Sequence, residues 1–337
     1  MSSKTGMAMV LREAGQPLVA EHPEIAPPKP GDARVRLHAA ALNHRDLWMR
    51  KGAYGNMNGL PCVLGSDGYG IVEAVGSQSD AAWIGFPVVI FPSLDWGSDD
   101  AAPGPSWRIL GVPDAGTFAE YLCVPVSQLF HAPKNLTPEE AAAIPLGGVT
   151  AHRALFRRGS LKAGEKVLIT GIGGGVAQFL LQFAAAAGAE VWVTSGSREK
   201  IDAAKKLGAE GGVLYSSPSW AEELVKTAGS FDLCVDSAAG EGWAGICEVL
   251  KPGGRLVFFG ATRGAPEVPM RKAFFKQISL LGTAMGSARD FQAMLDFVQT
   301  KDIHPVIDSV FSLEQAEEAL RRMDQGSQNG KIVLRIP

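Results

Sequence analysis

Paired cysteines are missing from this chain. Cys62, Cys123, Cys234 and Cys247 stand far apart, and no two share the Cys-x-x-Cys or similar spacing of a metal knuckle. They read as reduced thiols of a cytoplasmic protein. A surplus of positive charge is missing too. Lys and Arg number 32 against 35 Asp and Glu, a net charge of -3, which gives a nucleic acid or an anionic membrane surface nothing to hold. Long hydrophobic runs are also absent. The most apolar stretch, Phe179 to Val193, is interrupted by Gln182, Gly188 and Glu190, so it is too short and too polar to span a bilayer. Met1-Ser2-Ser3-Lys4-Thr5 has neither the apolar core nor the cleavage site of a signal peptide. The expectation is a cytoplasmic globular protein without nucleic-acid or membrane partners. At 337 residues it is long for one core and suggests two domains.

What is present falls into three textures. Residues 1 to about 128 are rich in Gly and Pro with short alternating runs. Ala33 to Ala39 alternates with period two and reads as a strand, as do Gly70 to Val75 and Pro87 to Phe91. Residues 92–114 lack periodicity and read as a loop. Short strands with many turns suggest a small barrel or sandwich. Residues 129–270 alternate strand and helix. Thr137-Pro138-Glu139-Glu140 is a capping box that opens a helix. Lys166 to Thr170 reads as a strand, Val176 to Ala187 as a helix and Glu190 to Thr194 as a strand. A helix follows over Arg198 to Leu207, stopped by Gly208. Asp232 to Asp236 and Arg255 to Phe259 are later strands. Repeated strand–helix units imply an α/β fold with a parallel sheet covered by helices on both faces. Residues 271–337 hold two helices, one opened by the box Ser312-Leu313-Glu314-Gln315, and a closing strand Lys331 to Arg335.

The strand at 166–170 runs into Gly171-Ile172-Gly173-Gly174-Gly175-Val176-Ala177 and then a helix. Glycines let the backbone turn tightly against a pyrophosphate, and the helix N-terminus offers unpaired N–H groups to it. Gly171, Gly174, Gly175 and Val176 are therefore candidate dinucleotide contacts. The end of the second strand bears on the cofactor. An NAD site usually places Asp or Glu there for the ribose 2′-hydroxyl. Here stand Ser195, Gly196, Ser197, Arg198 and Lys200, hydroxyls and cations that suit a 2′-phosphate and hence NADPH. The alternative is that Ser197 merely caps the helix and that Arg198 and Lys200 are solvated; capping by itself is compatible with phosphate binding.

Four blocks together resemble the medium-chain dehydrogenase/reductase family over nearly the whole chain. They are Ala41-Leu42-Asn43-His44-Arg45-Asp46, Gly65 to Val72, Gly116-Thr117-Phe118-Ala119-Glu120-Tyr121, and Gly171 to Ala177. The resemblance implies a GroES-like β-barrel substrate domain from both chain ends and a doubly wound Rossmann domain between them, with the active site in the cleft. On texture the divisions are 1–128, 129–270 and a remainder, 271–337, returning to the substrate domain. Zinc-dependent relatives carry Cys, His and Cys where this chain has Asn43, Ser66 and Leu146, and their structural zinc lobe matches 92–114, which has no cysteine. The expectation is no metal. His44 and Asp67 remain but are too few to hold one. Asn43 with Gly52-Ala53-Tyr54, and the glycine turn, is similar to the quinone oxidoreductase branch, with Ala177 in place of a last glycine. The first two blocks also resemble zinc-type dehydrogenase-like sequences that have lost the zinc pattern.

These features lead to an expected zinc-independent hydride transfer from NADPH. Without a Lewis acid, quinones and α,β-unsaturated carbonyls are the fitting acceptors, since their reduced forms spread charge; a saturated alcohol fits poorly. Asn43 is expected to touch nicotinamide or substrate oxygen, or else to form a turn. Tyr54 is expected to hydrogen-bond substrate or return a proton, or else to be a wall aromatic. His44 relays a proton or makes a structural hydrogen bond. The resemblance puts Thr150 near the nicotinamide ribose and Tyr215 near the adenine ribose phosphate. Ser237, Phe259 and Gly260 follow parallel strands, where ligands bind. Ala284 and Met285 are expected to line the nicotinamide pocket. Gln328-Asn329-Gly330-Lys331 resembles a family segment that reaches back to the cofactor, which implies that role for Asn329 and Lys331; the alternative is an exposed lysine on the last strand. An enoyl reductase and a non-catalytic NADPH-binding structural or sensor protein are the other readings. A homodimer, or a tetramer, through edge strands is expected, with Phe274-Phe275 and Ile278 to Leu281 as one such edge.

Overall fold

A computed structural model describes residues 5–55 and 58–337. The reading of a leaderless start rests on residues that lie, apart from Thr5, outside those described. The chain divides into two compact units, one formed by Met1–Gly147 with Gly286–Pro337 and the other by Gly148–Met285.

The first unit is built on a seven-stranded sheet. Its central strand, Asp32–Ala41, pairs antiparallel with Asp67–Val75, Tyr121–Pro125 and Lys331–Arg335. Alternation decides its faces. Ala33, Val35 and Leu37 are fully buried, whereas Arg36 between them is exposed. Their core joins Met9, Leu11, Leu64, Val72, Ile90, Phe118 and Leu334. Helix Pro138–Ala143 belongs to this unit, because Ala142 and Ala143 pack on Ala39, Ala41 and Val333. The change of texture near residue 129 therefore precedes the division between the units.

Residues 92–114 are more ordered than their composition suggests. Strands Ser93–Leu94 and Arg108–Ile109 pair. Trp96 meets Trp107 edge-on at 5.6 Å, and Trp107 Nε1 donates to Ser93 Oγ at 2.7 Å. Arg108 bridges Asp95 and Asp114. The order comes from two indoles and one guanidinium, which carry no periodic signal.

The second unit is a six-stranded parallel sheet in the order Ala209–Leu214, Glu190–Ser195, Lys166–Ile169, Phe231–Asp236, Leu250–Phe258, Ser279–Gly282. The strand order reverses between Lys166–Ile169 and Phe231–Asp236, so loops leave those two strands in opposite directions and open a crevice at their carboxyl ends. Strand Ala209–Leu214 escapes the sequence reading because Gly211 and Gly212 interrupt it. A Cβ on Gly211 would lie 2.5 Å from the Trp192 ring, so the glycine is there to admit the indole. Strand Ser279–Gly282 adds to this sheet's edge, which draws residues beyond 270 into the unit. No helix among the described residues is long and apolar enough to cross a membrane.

Candidate functional site

In the second unit the glycine turn lies where the sheet order reverses. Gly171 has φ +65°, a conformation few side chains adopt, and a Cβ built on it would meet nothing within 4 Å. Gly174 is the N-cap of helix Gly175–Ala186 and has no side chain to occupy the first-turn N–H groups. Val176 is half-buried in that turn. The backbone is pinned by Ile172 N donating to Thr194 O at 3.0 Å and by Gln178 Nε2 donating to Ile172 O at 2.8 Å. The result is a fixed, bare turn at a helix N-terminus, with room for an anion.

Of the hydroxyls and cations after the second strand, Lys200 comes back onto this turn. Ser195 is buried, and its Oγ accepts from Ser197 N at 3.1 Å. Ser197 caps helix Arg198–Lys206, accepting from Lys200 N at 3.3 Å. Arg198 is exposed at the first position of that helix. A Cβ on Gly173 would lie 2.7 Å from Lys200 Nζ, so the lysine crosses directly over the glycine turn. Tyr215 covers Gly196 in the same way, its hydroxyl 2.7 Å from a Cβ built there. The Arg263 guanidinium stacks on the Tyr215 ring at 4.8 Å. Arg263 was not legible in the sequence, because it follows a strand by several residues in a loop without a motif.

The remaining expected site residues of this unit sit after strands, apart from Thr150, which is on a helix. Ser237 and Gly260 touch back to back, a Cβ on Gly260 falling 2.6 Å from Ser237 O. Phe259 N donates to Asp236 O at 3.1 Å. Thr150 is buried on helix Pro145–His152. Ala284 is exposed, and Met285 is buried with φ +47°, a region where a long side chain is rare and which clusters at functional sites.

In the first unit, a different chemistry occupies the block around Asn43. Lys331 is buried, so the exposed reading of this lysine does not hold. Its Nζ donates to Leu42 O at 2.8 Å, Asn43 Oδ1 at 2.9 Å and Asp67 Oδ2 at 2.9 Å. Asp67 also accepts from Asn43 Nδ2 at 2.9 Å and from Leu146 N at 2.7 Å. Ser66 Oγ accepts from Arg45 Nη1 and donates to Leu110 O, both at 2.7 Å. Arg45 also lies over the Tyr54 ring, 5.2 Å from its centre, and Tyr54 packs half-buried on the barrel core. His44 keeps an open face to solvent, yet partial desolvation and the Lys331 charge hold its pKa below the usual histidine value. Asp46 is fully buried and accepts from Asn43 N at 2.7 Å; burial pushes its pKa up to about 6 against the pull of Arg45. Asn329 N donates to Asp308 Oδ1 at 2.9 Å, and Arg322 pairs with the same carboxylate. Among the described residues no group of three or more His, Cys, Asp or Glu is placed to hold a metal ion.

A doubly wound sheet with a bare glycine turn, joined to a GroES-like unit, defines the architecture of dinucleotide-binding dehydrogenases. Comparison with known proteins agrees. Residues 29–134 match the alcohol dehydrogenase GroES-like domain and residues 175–300 match the zinc-binding dehydrogenase domain. The chain is 37% identical over 330 residues to a zinc-type alcohol dehydrogenase-like protein of Schizosaccharomyces pombe, covering 91% of each. It is 28% identical over 318 residues to a quinone oxidoreductase of Mus musculus, covering 91% of this chain and 90% of that one. The crystal structure of an NAD-dependent alcohol dehydrogenase superposes with a TM-score of 0.91 at 36% identity, covering 98% of this chain and 100% of that one. The chain belongs to the medium-chain dehydrogenase/reductase superfamily and is an oxidoreductase of that group.

Proposed function

We propose that the protein is a zinc-independent, NADPH-dependent oxidoreductase whose acceptor is a quinone or an α,β-unsaturated carbonyl compound. The observation that carries this reading is the state of Asn43, Ser66 and Leu146. The Asn43 amide is held between Lys331 and Asp67, the Ser66 hydroxyl is engaged by Arg45 and Leu110, and Leu146 has no donor atom in its side chain. These groups offer none of the Cys, His or carboxylate donors of a zinc site. The acceptor must then be one that takes a hydride without strong polarisation, which quinones and enones do and simple aldehydes do poorly.

The residues of the second unit fit a phosphorylated dinucleotide. Gly171, Gly174, Gly175 and Val176 would hold the pyrophosphate on backbone N–H groups. Ser195, Gly196, Ser197, Arg198, Lys200 and Tyr215, with Arg263, would hold the 2′-phosphate, where an acid would repel it. Thr150, Ser237, Phe259, Gly260, Ala284 and Met285 would flank the nicotinamide side. Bound NADPH would supply the hydride. Asn43 would give its amide N–H to an oxygen, and Tyr54 would act as donor or wall at the acceptor. Four free thiols, three of them buried, suit a reducing cytoplasm. The exposed side chains of Met270, Phe274 and Phe275, on the helix that precedes edge strand Ser279–Gly282, suit a second copy of the chain, giving a homodimer.

Likeness to an NAD-dependent alcohol dehydrogenase favours a rival reading, alcohol oxidation with NAD. One experiment separates the two. NADPH and NADH oxidation by metal-depleted protein is followed with a 1,4-quinone, an enone and an aldehyde offered separately. Turnover of quinone or enone with NADPH preferred is expected. Activity only after zinc is added, or only with NADH, overturns the reading.

A further inference from the structure

The three hydrogens of a lysine ammonium can satisfy three acceptors, and those of Lys331 have three: Leu42 O, Asn43 Oδ1 and Asp67 Oδ2. The ammonium is 5% exposed and its partner carboxylate is fully buried. Lys331 therefore has no hydrogen left to offer a ligand. The Asn43 amide is constrained by the same contacts. Its oxygen faces a cation that can only donate, which fixes which end of the amide is which. One of its two N–H bonds is given to Asp67. The Asp67 carboxylate cannot swing away, since its other oxygen takes the Leu146 N–H at 2.7 Å. One N–H of Asn43 is thus the only polar group of that side chain not used inside the network.

Resting on the functional reading above, we propose that Lys331 and Asp67 are positioning residues that lock the Asn43 amide so that it can act only as a hydrogen-bond donor, toward an oxygen of the acceptor. The arrangement does by a fixed ion pair what a rotating asparagine cannot. An unpinned amide presents its oxygen and its nitrogen with similar ease, and half of those orientations would repel a carbonyl oxygen. A buried ammonium on the amide oxygen also polarises the amide, strengthening the remaining N–H as a donor. The cost of holding two charges out of water is sustained by the hydrogen bonds that saturate both.

A double-mutant cycle tests this. Lys331→Met alone leaves a buried carboxylate unpaired and can fail to fold, so the charge-neutral pair Lys331→Met with Asp67→Asn is the working variant. It is made in the native background and in an Asn43→Ala background. Turnover of a 1,4-quinone, the NADPH dissociation constant by fluorescence titration without acceptor, and the melting temperature are measured for each. The expected result is a fall in kcat on the order of tenfold to a hundredfold in the native background, with KM for the quinone and NADPH affinity changed by about threefold or less. In the Asn43→Ala background the same pair is expected to lower kcat by less than about twofold, because Lys331 acts through Asn43. An equal loss in both backgrounds overturns the proposal, as does full kcat in the pair. A kcat untouched by Asn43→Ala overturns both this proposal and the role given to Asn43. Absence of NADPH binding in the native protein overturns the functional reading instead.

Discussion

Lys331 Nζ and Asp67 Oδ2 form a buried ion pair at 2.9 Å, joining the last strand of the chain to the strand that begins at Asp67. The partners are 264 residues apart in sequence. The pair ties together Asp67–Val75 and Lys331–Arg335, the two strands that flank the same central strand. It also gathers the first-block asparagine and the Leu146 amide around one carboxylate. One contact is therefore both a structural bolt and the frame of the candidate site.

Breaking that bolt on one side is costly. Lys331→Met leaves Asp67 buried without its cation, and the expected loss is about 3 kcal/mol or more of stability in the barrel unit. Replacing both partners removes both charges and should recover much of that loss. Urea unfolding followed by tryptophan fluorescence, with four of the indoles, Trp48, Trp83, Trp96 and Trp107, in this unit, measures both variants. Equal destabilisation by the single and double variants would contradict the argument.

Asp46 gives a pH dependence with a defined sign. Its folded pKa, about 6, lies above the ordinary aspartate value, so the folded state binds its proton more tightly than the unfolded chain does. Its contribution is fully present below about pH 4 and is lost as pH rises through about 6. Asp46→Asn keeps an oxygen to accept from Asn43 N and carries no charge. The variant should flatten the fall in stability between these two pH values and gain relative to the parent at neutral pH. Denaturation midpoints across that range check it; an unchanged slope counts against the assignment.

Much of this was legible in the sequence, for reasons that differ by element. The glycine turn was readable because a phosphate-binding backbone demands glycine at fixed places, and Gly171 with φ +65° occupies such a place. The capping boxes at Thr137 and Ser312 were readable because both halves lie within one turn, and the reciprocal bonds are present at Thr137 N to Glu140 Oε2, 2.8 Å, and Ser312 N to Gln315 Oε1, 3.0 Å. The Lys331–Asp67–Asn43 network was not, since nothing local marks a lysine on a strand as buried. Arg263 over Tyr215 was hidden for the same reason: the pairing belongs to the folded sheet and not to a window of residues.

The exposed aromatic edge predicts assembly. Phe275 is 70% exposed and Phe274 60%, on helix Met270–Phe275, which shortly precedes edge strand Ser279–Gly282 in sequence. Phe275→Asp should shift the protein toward a monomer with little change in melting temperature, because the side chain contributes little to its own fold. Light scattering after size exclusion reads the mass directly. A dimer unchanged by the charge would place the interface elsewhere.

Cofactor choice is the sharpest test of the second unit. Lys200 lies over Gly173, Tyr215 over Gly196 and Arg263 over Tyr215, so cations reach the region after strand Glu190–Ser195 from two directions. If they hold a 2′-phosphate, Arg198→Ala and Arg263→Ala should each weaken NADPH by about tenfold and leave NADH nearly unchanged, since charge-assisted contacts to phosphate are worth about 1.4 kcal/mol or more. The loss should shrink at high salt for the exposed Arg198. Ser195→Asp puts an acid at the strand end, where it repels a phosphate and accepts from a ribose hydroxyl, and should reverse the preference. Fluorescence titrations of both cofactors against all three variants decide the matter. Equal weakening of NADPH and NADH by Arg263→Ala would mean that the guanidinium braces the Tyr215 loop and not the phosphate.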